Sequence, residues 1–219
     1  FLIAIQCIVF VVSEYALPNL KDFGLTPRSF QGLIGLVSHP LLHADWSHLI
    51  NNSITAIVLL TVLFWFYRQV AWRVVFYSWL ITGLWMWLAA REGNHIGFSG
   101  VIYALAAFIF LSGLLKKYFR LMALSGIIIF LYGSMIWGIL PIDPTISWEG
   151  HLFGAMSGFL LAWYFRDRGP KRPQYSWEID GDENVDHIPW RDESENLQEN
   201  EDFSDRKVYR IHYQYKRKK

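Results

Sequence analysis

The stretch Gly97–Tyr103 reads Gly-Phe-Ser-Gly-Val-Ile-Tyr and opens one of the apolar segments of the chain. Ser99 stands close to two glycines at the head of a predicted helix, where a polar residue is unusual in so apolar a setting. A serine in this position most often caps a helix start. It can also be a nucleophile when a base takes its proton, and histidine is the usual base. The rest of the chain decides between these two interpretations.

The composition around this stretch is typical of a membrane protein followed by a charged tail. The 219 residues are 53% hydrophobic and 18% charged, and charge is sparse before about residue 165 and dense after it. Six apolar segments approach the roughly 20 residues that cross a bilayer. They cover residues 1–17, 47–66, 72–90, 98–115, 121–140 and 148–165. We therefore predict an all-α membrane protein with a six-transmembrane-helix domain (1–166) and a mostly disordered C-terminal tail (167–219).

Basic residues between the segments predict the orientation of the chain. The loops after segments two, four and six hold nine Lys or Arg, whereas the other loops hold only Lys21, Arg28 and Arg91. Because basic loops stay in the cytoplasm, both termini are expected there, with loops 18–46, 91–97 and 141–147 outside. The first outer loop is amphipathic and is expected to lie partly in the membrane interface. A bacterial inner membrane is the simplest location.

The tail differs from the rest of the chain in composition. Residues 176–205 hold twelve Asp or Glu, and residues 206–219 hold seven Lys or Arg. The acidic part is predicted to be disordered, and the end could form a short strand or lie on an anionic inner leaflet. Its partner is not identified, and the net charge of +1 gives no reason to expect nucleic acid. The single cysteine, Cys7, excludes a disulfide within the chain.

Polar residues inside apolar segments are expensive and therefore indicate function. His48 and Asn52 open segment two, Ser99 opens segment four, and His151 opens segment six. All three segments enter the membrane from the outside, so these side chains are expected in one layer of its outer half. Since no Asp or Glu lies in the interiors of segments two to six, the simplest catalytic unit is a Ser99–His151 dyad.

A serine attacking a carbonyl forms an oxyanion, which needs preorganised donors. His48 and Asn52 are four residues apart, so their imidazole and amide share one helix face. Together with the Ser99 backbone N–H they are the available donors. Gly97 and Gly100 are expected to shape the turn around the serine and to let a substrate approach closely.

Small residues in two segments predict close helix packing. Gly150, Gly154 and Gly158 form a small-residue ridge along segment six, and segment four offers several alanines. Such faces bring two helix backbones close enough for a Ser–His hydrogen bond. Tyr103 lies one turn below Ser99 on the same face, where its ring could stack on His151.

Several of these polar residues also have simpler interpretations. His39, His43 and His48 have a spacing that could chelate a metal, but no Cys or carboxylate in the spans completes a set, so no metal is expected. We interpret His39 and His43 as structural. Asn51 is expected to bond a neighbouring helix and Glu149 to face the aqueous mouth of the site.

In the stretches His39–His43, His48–Asn52, Gly97–Tyr103 and Gly150–Gly154 with Gly158, the chain resembles rhomboid intramembrane serine proteases. The resemblance covers about residues 1–166 and not the tail. It implies Ser99 as nucleophile and His151 as base, acting without a cofactor. It implies further roles near the site: oxyanion contacts from His48 and Asn52, Tyr103 packed on His151, and His39 and His43 as structural or water-holding residues.

The implied substrates are membrane-anchored proteins in the lipid bilayer. Cleavage is expected in or near a transmembrane segment, after a small residue and close to residues that weaken the helix. The chain departs from the family at Leu33–Leu36, where many members carry a Trp-Arg pair. The resemblance therefore does not say what stabilises the first outer loop or how substrates enter laterally.

Two other functions remain open on the sequence alone. A non-catalytic rhomboid-like protein would bind and escort membrane clients, although such relatives typically lack the serine or the histidine. A small transporter or channel would use the polar residues as a pathway. Against the second, these residues stop in the outer half of the membrane, and no repeat symmetry is evident.

Overall fold

The computed structural model describes residues 1–116, 118–143 and 146–170, and within these ranges the fold is all-helical, without a strand. The α-helices of these ranges are α1 (Leu2–Tyr15), α2 (Gly32–Ser38), α3 (Trp46–Phe66), α4 (Ala71–Ala89), α5 (Ser99–Leu115), α6 (Phe119–Tyr132) and α7 (Trp148–Tyr164). Short 3-10 helices cover Pro18–Phe23, His39–Leu41 and Gly133–Ile139. The prediction of an all-α fold is confirmed for this part of the chain, and residues from 171 onward in the predicted tail lie outside it.

Helix α3 has the length and composition of a membrane span. It has 21 residues with a mean hydropathy of 1.9, and among the described helices it is the one that meets both requirements. Helices α1, α5 and α6 are apolar but shorter. Length and composition thus identify one clear apolar span, fewer than the six that the sequence predicts.

Helix α5 lies at the centre of the bundle and packs against α3, α4, α6 and α7. Its side chains are apolar on every face, as expected for a helix surrounded by others. Leu105, Phe108 and Ile109 are almost fully buried in it. They belong to an apolar cluster that also includes Leu59, Leu63, Tyr67, Val74 and Leu161. This cluster fixes α5, and with α5 the position of Ser99 at its first residue.

The contact between α5 and α7 is made backbone against backbone. A methyl group at Gly154 would lie 2.0 Å from the carbonyl oxygen of Gly100, and one at Gly158 would lie 2.1 Å from that of Ala104. No side chain larger than hydrogen fits at either glycine without moving the helices apart. The glycine ridge predicted in segment six therefore does bring these two helices into close contact.

The prediction that segment five is one helix over 121–140 is wrong. The α-helix ends at Tyr132, and Gly133–Ile139 is a 3-10 helix. Glycine is unfavourable in the interior of an α-helix, and Gly133 stands where the α-helix ends. The Tyr103 hydroxyl donates to the carbonyl oxygen of Met135, and His151 Nδ1 lies 2.9 Å from that of Gly138. These two contacts hold the 3-10 segment against α5 and α7.

Arg28 and Trp87 connect the predicted first outer loop to α4. The Arg28 guanidinium donates to the carbonyl of Ala90 at 2.8 Å, and its backbone N–H donates to that of Trp87 at 2.9 Å. The Trp87 indole N–H returns a bond of 2.9 Å to the carbonyl of Ser29. Arg28 thus ties the loop to the end of α4, a function that the sequence alone did not assign to it.

Candidate active site

Ser99 and His151 face each other across the α5–α7 contact. Ser99 is the first residue of α5, and His151 lies in the first turn of α7. The distance from His151 Nε2 to Ser99 Oγ is 2.9 Å, which is a hydrogen bond. The two residues are 52 positions apart in the chain, and the close glycine packing of the two helices is what brings them together.

The hydrogen bonds of His151 determine its tautomer. Its Nδ1 lies 2.9 Å from the carbonyl oxygen of Gly138, and a carbonyl can only accept. Nδ1 must therefore carry the proton in the neutral ring, which leaves the Nε2 lone pair to accept from the Ser99 hydroxyl. This is the tautomer that a general base for serine requires, and a backbone carbonyl here orients the ring as a carboxylate does in a triad.

The ring of Tyr103 stacks on His151 and fixes its orientation. The ring centroids are 4.1 Å apart and the planes differ by 6°. The Tyr103 hydroxyl donates to the carbonyl of Met135 at 2.7 Å. A methyl group at Gly138 would lie 2.2 Å from this hydroxyl and 3.0 Å from His151 Nδ1. The 3-10 helix, Tyr103 and His151 therefore form one tightly packed unit.

The loop before Ser99 lies against the side chains of His48 and Asn52. Gly97 has a φ of 120°, and a methyl group there would lie 2.7 Å from His48 Cε1 and 3.7 Å from Asn52 Nδ2. Glycine is therefore required at position 97 both by its backbone conformation and by the available space. Asn52 is buried, and its Nδ2 has no hydrogen-bond partner within the described ranges. This amide is thus a donor that remains available beside the serine.

His39 and His43 lie behind this loop in the predicted first outer loop. The carbonyl of His39 accepts the Gly97 N–H at 2.8 Å, and its ring Nδ1 lies 2.7 Å from the carbonyl of Gly35. Burial lowers the pKa of His39 to about 4. Burial, together with the neighbouring His48, also lowers the pKa of His43 to about 4. Both rings are therefore neutral at physiological pH, and His39 connects the outer loop to the turn before Ser99.

A cavity of about 820 Å³ opens beside these groups. Its walls include His48, Asn52, Ser99, Tyr103 and His151. All of the residues with a predicted chemical role thus line one shared cavity, although three separate helices carry them. The volume is large enough for a segment of extended peptide and several waters.

Two interpretations of neighbouring residues are wrong, and one residue was overlooked. Glu149 does not face the aqueous mouth: it is buried, and its Oε1 lies 3.3 Å from Arg91 Nε, because a buried carboxylate needs a charged partner. Asn51 donates weakly to Ser47 of its own helix, at 3.4 Å. His95 was not singled out, although an ionisable residue four positions before the candidate nucleophile was a signal.

Fold and site together define a helical protein of membrane-like composition that carries a serine–histidine pair beside the unpaired side-chain amide of Asn52. The sequence model of the Rhomboid domain matches residues 31–168. The chain belongs to the rhomboid family.

The curated relatives that it matches are mycobacterial. An uncharacterized protein of Mycobacterium tuberculosis is 32% identical over 172 residues, which are 74% of this chain and 71% of the relative. An uncharacterized protein of Mycobacterium leprae is 31% identical over 172 residues, covering 73% of this chain and 67% of the relative. These names give no activity or substrate, so any function has to be argued from the residues.

Proposed function

We propose that this rhomboid-family chain is a serine endopeptidase that cleaves membrane-anchored proteins in or near a transmembrane segment. The observation that carries the proposal is the 2.9 Å hydrogen bond between Ser99 Oγ and His151 Nε2, with Nδ1 of the same ring held by a carbonyl. A serine that merely caps a helix needs no such base, and the N-cap position of α5 is occupied by Phe98 and not by Ser99.

In the first half of the reaction, Ser99 Oγ attacks the carbonyl carbon of the scissile peptide bond. Its proton passes to His151 Nε2 as the Oγ–C bond forms, and the carbonyl electrons move onto the oxygen. The tetrahedral intermediate then collapses with cleavage of the C–N bond. The leaving amine takes the proton from His151, and an acyl-enzyme ester on Ser99 remains.

The oxyanion of this intermediate needs donors that are already in position. The buried Asn52 Nδ2, which has no partner within the described ranges, is the first of these. The His48 ring and the Ser99 backbone N–H are the other two. The start of α5 adds the positive end of a helix dipole, which favours a negative charge at the same place. Removing one such donor typically lowers kcat by about 10²–10³-fold.

In the second half, water from the cavity attacks the ester. His151 takes a proton from the water, and the ester C–O bond breaks as Ser99 recovers its proton from the same ring. The product is a carboxylic acid, and the dyad returns to its starting state. This cycle needs no metal or cofactor.

The proposed topology has six membrane spans, with residues 1–166 as the protease domain and 167–219 as a cytoplasmic tail. The basic loops support cytoplasmic termini, and a bacterial inner membrane is the proposed location. Helix α5 has 17 residues and is about 25 Å long, shorter than the roughly 30 Å hydrocarbon core. Ser99 can therefore lie below the outer surface, where a substrate helix must unwind before its peptide bond is exposed.

The test is cleavage of a transmembrane test substrate by the purified protein in detergent. We expect wild type to release two fragments and Ser99→Ala to release none, while Ser112→Ala, a serine change in the same helix, retains cleavage. Cleavage by Ser99→Ala at the wild-type rate would exclude the proposal. Binding of the substrate by a folded wild type without cleavage would instead favour the non-catalytic escort.

A further inference from the structure

Several polar contacts join the loop before Ser99 to the start of the helix that carries His151. Arg91 Nη2 donates to the carbonyl of Ile146 at 2.6 Å. Arg91 Nε and its backbone N–H reach Glu149 Oε1 at 3.3 and 3.4 Å. A further contact joins His95 Nδ1 to Ser147 Oγ at 2.6 Å. We refer to Arg91, His95, Ser147 and Glu149 as the loop clamp.

His95 is the most constrained member of the clamp. It is buried, and its backbone N–H and carbonyl both pair with Leu25 of the first outer loop at 2.9 Å. Its ring Nε2 lies 3.0 Å from the carbonyl of Arg91, which can only accept. Nε2 therefore carries the ring proton, and Nδ1 accepts from the Ser147 hydroxyl. One residue thus connects three predicted outer loops.

The Ser147 side chain bonds His95 instead of capping its own helix. It precedes α7 in the N-cap position, where a serine hydroxyl normally accepts a bond from the first turn of its helix. Here its side chain makes no cap bond and points to His95. Its carbonyl accepts the backbone N–H of His151 at 3.4 Å. A member of the clamp is therefore bonded directly to the backbone of the candidate base.

We propose that the loop clamp positions His151 relative to Ser99, and that His95 and Ser147 are positioning residues of the proposed protease. The inference rests on the proposed function, because it assigns to these side chains a place in the geometry of that dyad. Misplacement of a reacting group by about 1 Å can lower the rate on the order of 10²-fold. Contacts that hold the two flanking segments together should therefore influence kcat more than substrate binding.

The test compares two substitutions of His95, each of which keeps one of the two hydrogen bonds made by its ring nitrogens. The side-chain oxygen of His95→Asn lies near the place of Nδ1 and can still accept from Ser147. The side-chain amide of His95→Gln lies near the place of Nε2 and can still donate to Arg91. We expect His95→Asn to keep most of kcat and His95→Gln to lose about 10–100-fold, with KM unchanged in both.

Thermal unfolding of the same two variants separates positioning from stability. Equal kcat for the two variants, or losses of kcat that follow their melting temperatures, would overturn the proposal. A second pair of variants tests the proposal if a His95 variant does not fold. Glu149→Gln weakens the ion pair with Arg91, whereas Asp22→Asn makes the same carboxylate-to-amide change at an exposed residue that does not line the cavity. We expect the first to lower kcat and the second not to, and equal effects would contradict the clamp.

Nitrogen-15 NMR of the histidine rings tests the clamp without any activity. We expect the ring resonances of His151 to shift in His95→Gln and to stay in place in His95→Asn. If wild type neither cleaves nor reacts at Ser99 but these shifts occur, the proposed function fails and the clamp holds. If wild type cleaves and neither variant moves His151 or changes kcat, the clamp fails alone.

Discussion

Helices α7 and α6 both pack on α5, but they do so by different means. At the α7 contact, Gly154 and Gly158 put backbone against backbone, with no room for a methyl group. At the α6 contact, buried Leu121 and Ile128 meet α5, and the Ser125 hydroxyl donates to the carbonyl of Phe110 at 3.0 Å. The first contact is close at two glycines on successive turns of α7. The second is close at one glycine, since a methyl group at Gly113 would lie 2.5 Å from the carbonyl oxygen of Leu121, and the rest of it is made of side chains that can repack.

This difference corresponds to what each helix carries. Helix α7 brings His151 to Ser99, and their hydrogen bond tolerates little displacement. Helix α6 carries none of the predicted catalytic side chains, and its Phe119 and Phe130 are more than 80% exposed. The closer contact with α5 is therefore made by α7, the helix that carries His151. The contact that can repack more easily is made by α6, at the apolar edge of the bundle.

The largest expected effect is that of a methyl group in the closer contact. Gly154→Ala should lower the free energy of unfolding by about 3 kcal/mol, because its methyl group would displace the backbone at Gly100. Gly126→Ala is the matched change in α6, where no atom lies within 4 Å. It should be neutral or stabilise by about 0.5–1 kcal/mol through helix propensity. Thermal unfolding in detergent measures both, and equal losses would contradict the distinction.

Lowering the pH should reduce the free energy of unfolding through the two buried histidines His39 and His43. His39 and His43 have pKa values of about 4 in the folded chain, below the usual 6.5, so protons bind the unfolded state better. The stability they contribute is complete above about pH 6.5 and is lost as the pH falls toward 4. When the pH falls from 7 to 5, each of these two histidines should lower the free energy of unfolding by about 2 kcal/mol.

His43→Leu tests this pH dependence, since leucine stays buried and does not titrate. Its unfolding free energy should fall less between pH 7 and 5 than that of wild type, by about 2 kcal/mol. Helix α6 contains no histidine and provides no such response of its own. Identical pH profiles for the two proteins would show that His43 does not titrate as expected.

Gly138 connects the α6 and α7 regions, because it lies in the 3-10 helix that follows α6 and contacts His151 on α7. Gly138→Ala would place a methyl group 2.2 Å from the Tyr103 hydroxyl. We expect kcat to fall about tenfold, which is roughly 1.4 kcal/mol, as the ring of His151 rotates away from Ser99. Steady-state cleavage of the transmembrane substrate measures this, and an unchanged kcat would mean that the unit tolerates the extra atom.

The smallest expected effect is that of removing the Tyr103 hydroxyl, which lies in the packed unit of Tyr103, His151 and the 3-10 helix. Tyr103→Phe keeps the ring stacked on His151 and removes only the hydrogen bond to the carbonyl of Met135. A loss of about 1 kcal/mol in unfolding free energy is expected, with most of kcat retained. Tyr103→Ala removes the ring as well and should reduce kcat further. If both variants behave alike, the stacking has no part in orienting the base.

The sequence predicted those features that local composition and periodicity encode. The all-helical fold follows from long apolar segments, and a small-residue ridge in segment six predicted a close helix contact. The family could be recognised because Ser99 and His151 lie in short, specific motifs. Of the predicted site residues, His48, Asn52, Ser99, Tyr103 and His151 line one cavity, and their roles stay predictions until activity is measured.

What the sequence did not predict depends on contacts between distant residues. The bonds of Arg91 to Glu149 and of His95 to Ser147 join positions 58 and 52 apart, and neither pair follows a period. The contacts that hold the 3-10 segment after α6 join Tyr103 to Met135 and His151 to Gly138, which are 32 and 13 positions apart. A buried Glu149 likewise could not be foreseen without knowing that Arg91 lies beside it.

The central claim is that His151 activates Ser99 as a nucleophile. Its most direct test is labelling with a fluorophosphonate probe, with wild type, Ser99→Ala and His151→Ala compared at equal amounts of folded protein and the labelled peptide sequenced. The account predicts modification of wild type at Ser99 and none of either variant. Equal labelling of Ser99→Ala, or no reaction of a correctly folded wild type, would contradict it.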